Sequence, residues 1–296
     1  MKKKLVILVV FALFIGACQP ALTPIPVPTP MPVLTPTPRL TSTPRPTPIC
    51  SEIKDTKGVS MCLVPAGQFT MGSNDGKIID SFLAGSYPAH VVSLDTFYID
   101  KYEVTNALYK NCVDAGGCSL PGDVSKYNNS QYANHPVTFV DWDQATAYCA
   151  WRGPSTLPAV AGQVRLPTEA EWEKAARGSN GDIYPWGDDD PNKDLANYGQ
   201  NVGDTTAVGS YEKGRSLFGV YDMAGNVWEW VNGWYDLYPG ASANGNPDYG
   251  TKYRVLRGGS WHYDTGYMQA SFRNWGHSDT KSEYYGFRCA LSAASQ

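Results

Sequence analysis

Short apolar segments separated by turns begin the globular part of the chain. In these segments apolar side chains alternate with polar ones or cluster briefly before a turn residue interrupts them, which is typical of strands. The pattern predicts four strands, at Met61–Val64, Gln68–Met71, Val91–Leu94 and Phe97–Ile99. The turn Pro65-Ala66-Gly67 separates the first two strands.

Helical periodicity with start and stop signals predicts three helices. The first runs over Thr105–Asp114 with a threonine cap, and the second over Asp141–Arg152 with an acidic cap. The third begins at Thr168, where Thr168 and Glu171 form a capping box, and it stops at Gly178. Beyond Gly178 the chain is rich in glycine, asparagine and aspartate, so little regular structure is predicted there.

Residues 1–17 predict a lipoprotein signal peptide. Lysines at positions 2 to 4 precede the apolar run Leu5–Ile15, which is too short to span a bilayer. The run ends in Ile15-Gly16-Ala17-Cys18, which is typical of a bacterial lipobox. We therefore expect Cys18 to carry the lipid and to anchor the chain to a bacterial membrane outside the cytoplasm. The alternative is an ordinary secretory signal with an incidental cysteine.

A proline-rich segment, residues 18–49, predicts a linker between this anchor and a globular domain at 50–296. Proline alternates there with other residues, as in Thr35-Pro36-Thr37-Pro38, and it fixes φ and removes a backbone donor, so neither helix nor sheet is expected. The net charge of the whole chain is −4, and cleavage of the lysine-containing signal makes it more negative. With no basic patch, nucleic acid is not an expected partner.

Six cysteines follow Cys18, and an even number in an oxidising compartment predicts three disulfides. Cys112 and Cys118 flank a short loop, and Cys50 and Cys62 flank a hairpin-like stretch. Cys149 and Cys289 are left to join the middle of the domain to its C-terminal part.

Several motifs, in order along the chain, resemble those of the formylglycine-generating enzyme (sulfatase-modifying factor) family. They are Val64–Gly72, Phe97–Asn106, Arg165–Glu173, Pro185–Gly187, Asp222–Trp230, Arg257–Trp261 and Gly286–Cys289. The resemblance implies an α+β fold, a variant of the C-type-lectin-like fold, with little regular secondary structure and structural calcium. Cys149 and Cys289 match a disulfide of the family.

The resemblance also implies metal ligands. The first calcium site of the family is matched by Asp222, Gly225, Val227 and Glu229. The start of a second site is matched by Asn197 and Tyr198, and we expect Asp204 to complete that site. Carboxylates, amides and main-chain carbonyls are the oxygen ligands that calcium takes. The alternative is a turn whose acidic side chains are simply solvated.

The catalytic cysteines of the family have no counterpart here. In the family two cysteines bind copper(I) and activate oxygen, whereas Tyr263 and Met268 occupy the matching positions. A family histidine is replaced by Asp264 and a family asparagine by Tyr284, while Ser260 and Tyr267 match active-site positions. The substrate-groove segment 125–134 also looks shortened, and residues 153–164 look inserted. Copper is therefore not an expected cofactor.

A binding module is the first functional hypothesis. The stretch 261–285 is rich in Trp, Tyr, His, Asn and Asp, which make adaptable contacts, and it resembles the binding face of lectin-like variable proteins. The expected ligand is a protein, a peptide or a glycan, and the candidate contact residues are His262, Tyr263, Asp264, Tyr267, Trp275 and His277. Trp228, Trp230 and Trp261 are expected in the core instead.

Two enzymatic hypotheses remain beside it. One is formylglycine generation from a sulfatase cysteine and oxygen by an altered site, and the other is a different reaction on the same scaffold. The four histidines of the sequence, His90, His135, His262 and His277, show no metal-binding spacing such as His-Glu-x-x-His.

Overall fold

The computed structural model describes residues 47–74, 84–154, 162–241 and 248–293. The signal peptide, Cys18 and most of the linker lie outside these ranges, as does most of the inserted segment 153–164. The α-helices are α1 (Asn106–Asp114), α2 (Trp142–Trp151) and α3 (Glu169–Arg177), and the strands are β1 (Glu52–Lys54), β2 (Ser60–Val64), β3 (Gly67–Met71), β4 (His90–Leu94), β5 (Phe97–Asp100), β6 (Trp228–Trp234), β7 (Tyr253–Arg257), β8 (Asn274–His277), β9 (Tyr285–Phe287) and β10 (Ala290–Ser292).

The first sheet brings the two ends of the domain together. Its strands run antiparallel in the order β1-β2-β5-β10, and β3 and β4 form a separate antiparallel pair. Ala290 of β10 lies opposite Ile99 of β5, so the C-terminal strand closes on the N-terminal ones. The four predicted strands are confirmed, each to within one residue at either end.

The three helices begin where their caps predict. The Thr105 hydroxyl accepts from the Leu108 amide at 3.2 Å at the start of α1. In α3 the Thr168 amide donates to the Glu171 carboxylate at 2.7 Å, and the Glu171 amide donates to the Thr168 hydroxyl at 3.2 Å, which confirms the predicted capping box. The α3 helix ends at Gly178, whose φ of +70° suits glycine.

A second four-stranded sheet corrects the expectation of little regular structure after Gly178. Its order is β8-β7-β6-β9, with β9 parallel to β6 and the other pairs antiparallel. The sequence did not reveal it because the first four residues of β6 are buried on both faces, which removes the period-2 alternation of a half-buried strand. The strand β9 is only three residues long, which is too short to give a pattern.

Each face of this second sheet packs against different helices. The face that carries Trp228, Trp230 and Leu256 shares a hydrophobic cluster with residues of α1 and α2, and we name it the α2 face. The face that carries Val231 and Val255 packs against Trp172 of α3, and we name it the α3 face. Among the described residues, no helix is long and apolar enough to cross a membrane.

Three disulfides join the described cysteines in the predicted pairs, Cys50–Cys62, Cys112–Cys118 and Cys149–Cys289. The last links α2 to the residue before β10, across a sequence separation of 140 residues. Every described cysteine is therefore oxidised.

Candidate functional site

The loop after β7 folds back on itself and places the predicted site residues. Gly259 has a φ of +78°, and a Cβ there would lie 3.1 Å from the Tyr267 carbonyl, so glycine allows the loop to close. The Trp261 amide donates to the Asn226 carbonyl at 2.9 Å. This bond ties the loop to the turn between Asp222 and Glu229 that contains the predicted calcium ligands.

Six side chains of this region form an aromatic cluster, which we define as Trp228, Trp261, His262, Tyr263, Tyr267 and Tyr284. The Tyr263 ring lies at its centre, 5.6 Å from Trp228, 5.1 Å from Tyr267 and 6.1 Å from Tyr284 between ring centroids. The edge-to-face geometry at all three contacts is the favoured one for aromatic pairs. Tyr263, Tyr267 and Tyr284 are partly buried and His262 is exposed, so the cluster reaches the surface.

Two indole groups at the base of the cluster lack hydrogen-bond partners. Trp228 is fully buried and Trp261 is 8% exposed, and neither Nε1 donates to an acceptor among the described residues. A buried donor without a partner is destabilising, so such groups usually have water or a ligand as their acceptor. The predicted core position of both tryptophans is therefore correct, and each carries a buried donor without a partner among the described residues.

Trp275 and His277 do not belong to this cluster. Trp275 pairs with Val255 and His277 with Tyr253 across the β7–β8 ladder, and cross-strand partners share a face, so both side chains lie on the α3 face. Trp275 instead packs against Tyr253, with 4.1 Å between the ring centroids and 42° between the ring planes. The six predicted contact residues therefore fall into two groups on opposite faces of the sheet, a division that the sequence order did not indicate.

The remaining predicted active-site residues surround the aromatic cluster. Ser260 is fully buried, and Asp264 is exposed at the start of the short 3-10 helix Thr265–Met268. The Met268 side chain is fully buried and packs with Tyr184 and Trp186 rather than facing solvent.

The residues present do not fit a copper(I) site of the family type. Such a site needs a pair of soft thiolates, and all described cysteines are already paired in disulfides. Burial raises the pKa of the Tyr263 phenol, which makes a phenolate ligand less accessible still. Among the described residues, no three His, Cys, Asp or Glu side chains are grouped to hold a metal.

The turn with the predicted calcium ligands is packed tightly against Asn197. Gly225 has a φ of +81°, and a Cβ there would lie 2.2 Å from the Asn197 carbonyl oxygen, so only glycine fits. The Asn226 amide donates to the same carbonyl at 2.9 Å. Asn197 and Tyr198, the start of the second predicted site, are thereby placed beside Gly225 and Val227 of the first.

Buried carboxylates in this region outnumber the cations. Glu103, Asp222 and Glu229 are buried with Arg288, which donates to both Glu229 oxygens at 2.7 Å. Burial raises the pKa of Asp222 to about 6, and burial together with the charges of Asp222 and Glu229 raises the pKa of Glu103 well above its ordinary value. Oxygen ligands with excess negative charge suit calcium. A calcium ion at Glu229 would have to share the carboxylate oxygens with the Arg288 guanidinium.

The second predicted site has one free ligand and one engaged ligand. The Asn197 side-chain oxygen is buried and has no hydrogen-bond partner among the described residues. The Asp204 carboxylate forms an ion pair with Lys126 and accepts from the Tyr132 hydroxyl at 2.9 Å. A cation at Asn197 would have to share Asp204 with Lys126, which lies in the segment that the sequence indicates to be shortened.

Two residues of the site were missed by sequence reasoning. Glu103 joins the buried carboxylates because its side chain accepts from Asn226 at 2.6 Å, and Arg288 reaches them from the strand end after β9. Both lie in motifs quoted above, Phe97–Asn106 and Gly286–Cys289, but a motif alone does not show which of its members meet in space.

The fold and this site define a C-type-lectin-like α+β domain of the kind found in formylglycine-generating enzymes. The sequence profile of the sulfatase-modifying factor enzyme 1-like domain matches residues 49–293, and the chain belongs to that family.

Its curated relatives differ in name. Hercynine oxygenase of Mycolicibacterium smegmatis is 32% identical, over 77% of this chain and 60% of the relative. Formylglycine-generating enzyme of Mus musculus is 29% identical, over 78% of this chain and 74% of the relative. The chain spans between 38% and 60% of the length of the first relatives it matches.

Two solved structures resemble the whole domain. PvdO from Pseudomonas aeruginosa has a TM-score of 0.63 and 28% identity, over 83% of this chain and all of that one. Treponema denticola variable protein 1 has a TM-score of 0.61 and 26% identity, again over 83% of this chain and all of that one.

Proposed function

We propose that this chain is a calcium-stabilised binding module, tethered to a bacterial membrane through lipid on Cys18, that has lost the copper oxidase activity of its family. The observation that carries the proposal is the position of the Tyr263 ring. It packs against Trp228 and Tyr267 where the family has its first copper-binding thiolate. A packed phenol there leaves neither a soft ligand nor an open coordination position for copper(I).

The same aromatic cluster supports a binding role. Its tyrosines and histidine reach the surface, and side chains of this kind supply large contact area with few rotatable bonds. The unpaired indole groups of Trp228 and Trp261 add hydrogen-bond donors at the base. A protein, peptide or glycan presents both the apolar surface and the acceptor oxygens that this arrangement would contact. The likeness to a variable protein of Treponema denticola supports the same interpretation.

Calcium has a structural role in this proposal. The ligands would be Asp222, Glu229 and the main-chain carbonyls of Gly225 and Val227, and a second ion would be held by Asn197, Tyr198 and Asp204. Bound calcium would supply positive charge between buried carboxylates and so hold the turn under the aromatic cluster.

The binding role is tested by probing peptide and glycan arrays with the chain carrying Cys18→Ser, which keeps it free of lipid. Tyr284→Ala removes a partly exposed ring from the cluster, and His277→Ala is the matched control on the α3 face. We expect a set of array spots that the parent and the control bind and that Tyr284→Ala loses. Binding that depends on His277 and not on Tyr284 would contradict the assignment of the binding surface.

The alternative is a formylglycine-generating oxidase that converts a sulfatase cysteine with oxygen. It is favoured by Ser260 and Tyr267, which match active-site positions of the family and lie in or beside the aromatic cluster. The enzymatic relatives point the same way, although this chain spans only part of their length.

A further inference from the structure

Arg254 on β7 differs from the other arginines that the structure describes. Seven of them form an ion pair with a carboxylate: Arg152, Arg165, Arg177, Arg215, Arg257, Arg273 and Arg288. Arg254 forms none within the described ranges, and its Nε is buried without a hydrogen-bond partner. Burial lowers the pKa of Arg254, and the charge of nearby Asp143 acts in the opposite direction without reversing this.

Two tryptophans hold the Arg254 guanidinium from both sides. Its central carbon lies 3.7 Å from the ring centre of Trp142 and 3.5 Å from that of Trp234. Rings this close to one carbon must cover its opposite faces. The Trp142 indole is itself fixed by donation to the Val231 carbonyl at 2.9 Å. The cation is therefore held in one orientation, and its N–H groups point outward in its own plane.

The edge of this sandwich reaches solvent. Trp234 is 42% exposed, and Arg254 is partly exposed. The residue paired with Arg254 on β8 is Gly276, and the Trp230 indole fills the space that a side chain there would take, so β8 itself contributes no side chain to the sandwich. At this edge the Arg254 guanidinium presents parallel N–H donors between the two indole rings, an arrangement that suits a planar acceptor with two oxygens.

We propose that Arg254, clamped between Trp142 and Trp234, binds a carboxylate group of a ligand in the plane of its guanidinium. The two N–H groups on one edge donate to the two carboxylate oxygens, and the indole rings confine the group to that plane. Since the arginine is already ordered, binding requires little further loss of side-chain freedom. The site lies on the α2 face of the sheet and does not depend on the function proposed above for the aromatic cluster.

The test follows the arginine Nε–Hε cross-peaks of the isotopically labelled, lipid-free chain by NMR. The Arg254 peak is assigned by its loss in Arg254→Lys, which keeps the charge but removes the planar fork. The probes are sodium glucuronate and sodium N-acetylglutamate, with sodium chloride at equal ionic strength as the control. We expect a saturable shift of the Arg254 peak with at least one carboxylate and none with chloride.

The probe that saturates shows whether a sugar acid, an acidic peptide group or the carboxylate alone is recognised, and each of these results supports the proposal. Asp143→Asn, an exposed change that leaves the sandwich intact, should tighten binding about two- to threefold at low salt, because it removes a neighbouring negative charge. A shift that only follows ionic strength, or no saturable shift with either carboxylate, would show that Arg254 is a packing element and overturn the proposal.

Discussion

Removal of calcium should destabilise this domain by a measurable amount. Three buried carboxylates, Glu103, Asp222 and Glu229, share one buried guanidinium, so their fully ionised form has an excess of two negative charges. Burial and mutual repulsion already raise the pKa values of Glu103 and Asp222, which indicates that their ionised forms are unfavourable without a further cation. A divalent ion that binds only the folded state offsets this repulsion.

The size of the effect follows from the linkage between binding and folding. At a free calcium concentration 100 times the dissociation constant, the bound ion contributes about 2.7 kcal/mol to the free energy of unfolding. In a domain of this size each kcal/mol shifts Tm by about 2–4 °C, so removal of the ion should lower Tm by roughly 5–10 °C.

Thermal melts followed by circular dichroism in calcium and in EGTA, at equal ionic strength, measure this shift. Asp222→Asn should reduce the difference between the two buffers, because it removes a carboxylate of the first site and leaves Asn197, Tyr198 and Asp204 of the second. The matched control is Asp114→Asn, which changes an exposed carboxylate at the end of α1 and should keep the full calcium effect. Superimposable melting curves of the parent in calcium and EGTA would contradict a structural role for calcium, as would a calcium effect undiminished by Asp222→Asn.

Three further predictions concern the scaffold. Replacing Cys149 and Cys289 by alanine should lower the free energy of unfolding by about 5 kcal/mol in urea titrations, because the disulfide closes a loop of 140 residues. Gly225→Ala should cost at least about 2 kcal/mol in the same assay, from its positive φ and the contact of a Cβ with a backbone carbonyl. Glu169→Gln should flatten the loss of stability at acid pH. Burial opposes ionisation of Glu169, but the charges of Arg273 and Arg257 and the hydrogen bonds from Arg273 and Tyr238 together outweigh it and lower the pKa below its ordinary 4.5. The stabilisation is therefore present above that value and is lost as pH falls.

Each of these predictions has an internal check. Gly116→Ala has a similarly positive φ of +73° but no atom within 4 Å of the added Cβ, so it should cost less than Gly225→Ala. Equal costs would mean that the close approach to Asn197 is unimportant. A parent and a Glu169→Gln variant with parallel acid-stability profiles would remove Glu169 from the explanation of acid sensitivity. A disulfide variant as stable as the parent would mean that the unfolded chain has few accessible conformations even without this disulfide.

Local chemistry made much of the first half predictable. Thr105, Asp141 and Thr168 each begin a helix because their side chains satisfy exposed amide groups at helix N-termini, and this signal is confined to a few neighbouring residues. The disulfides were predictable because two pairs are local and only one pairing then remains. The second sheet was not, since β6 pairs in parallel with β9 across a long stretch of sequence.

Prediction of the site was limited in the same way, by contacts between parts of the chain that are distant in sequence. Tyr263, Tyr267 and Tyr284 all match active-site positions of the family by sequence, and their rings do meet in the structure. Trp275 was grouped with them on sequence proximity alone, yet the strand register turns it to the opposite face. Arg254 gave no signal at all, because its lack of a carboxylate partner is a property of the packed structure and not of its neighbours in sequence.

We propose above that this member of the family binds a ligand and does not oxidise a cysteine. The most direct measurement incubates the lipid-free chain with copper(I), oxygen and a peptide containing Cys-x-Pro-x-Arg, and follows the cysteine by mass spectrometry. We predict no conversion to the formylglycine aldehyde above the rate without protein, because Tyr263 and Met268 offer no thiolate pair. Conversion at enzymatic rates, with turnover beyond one peptide per chain, would contradict the account.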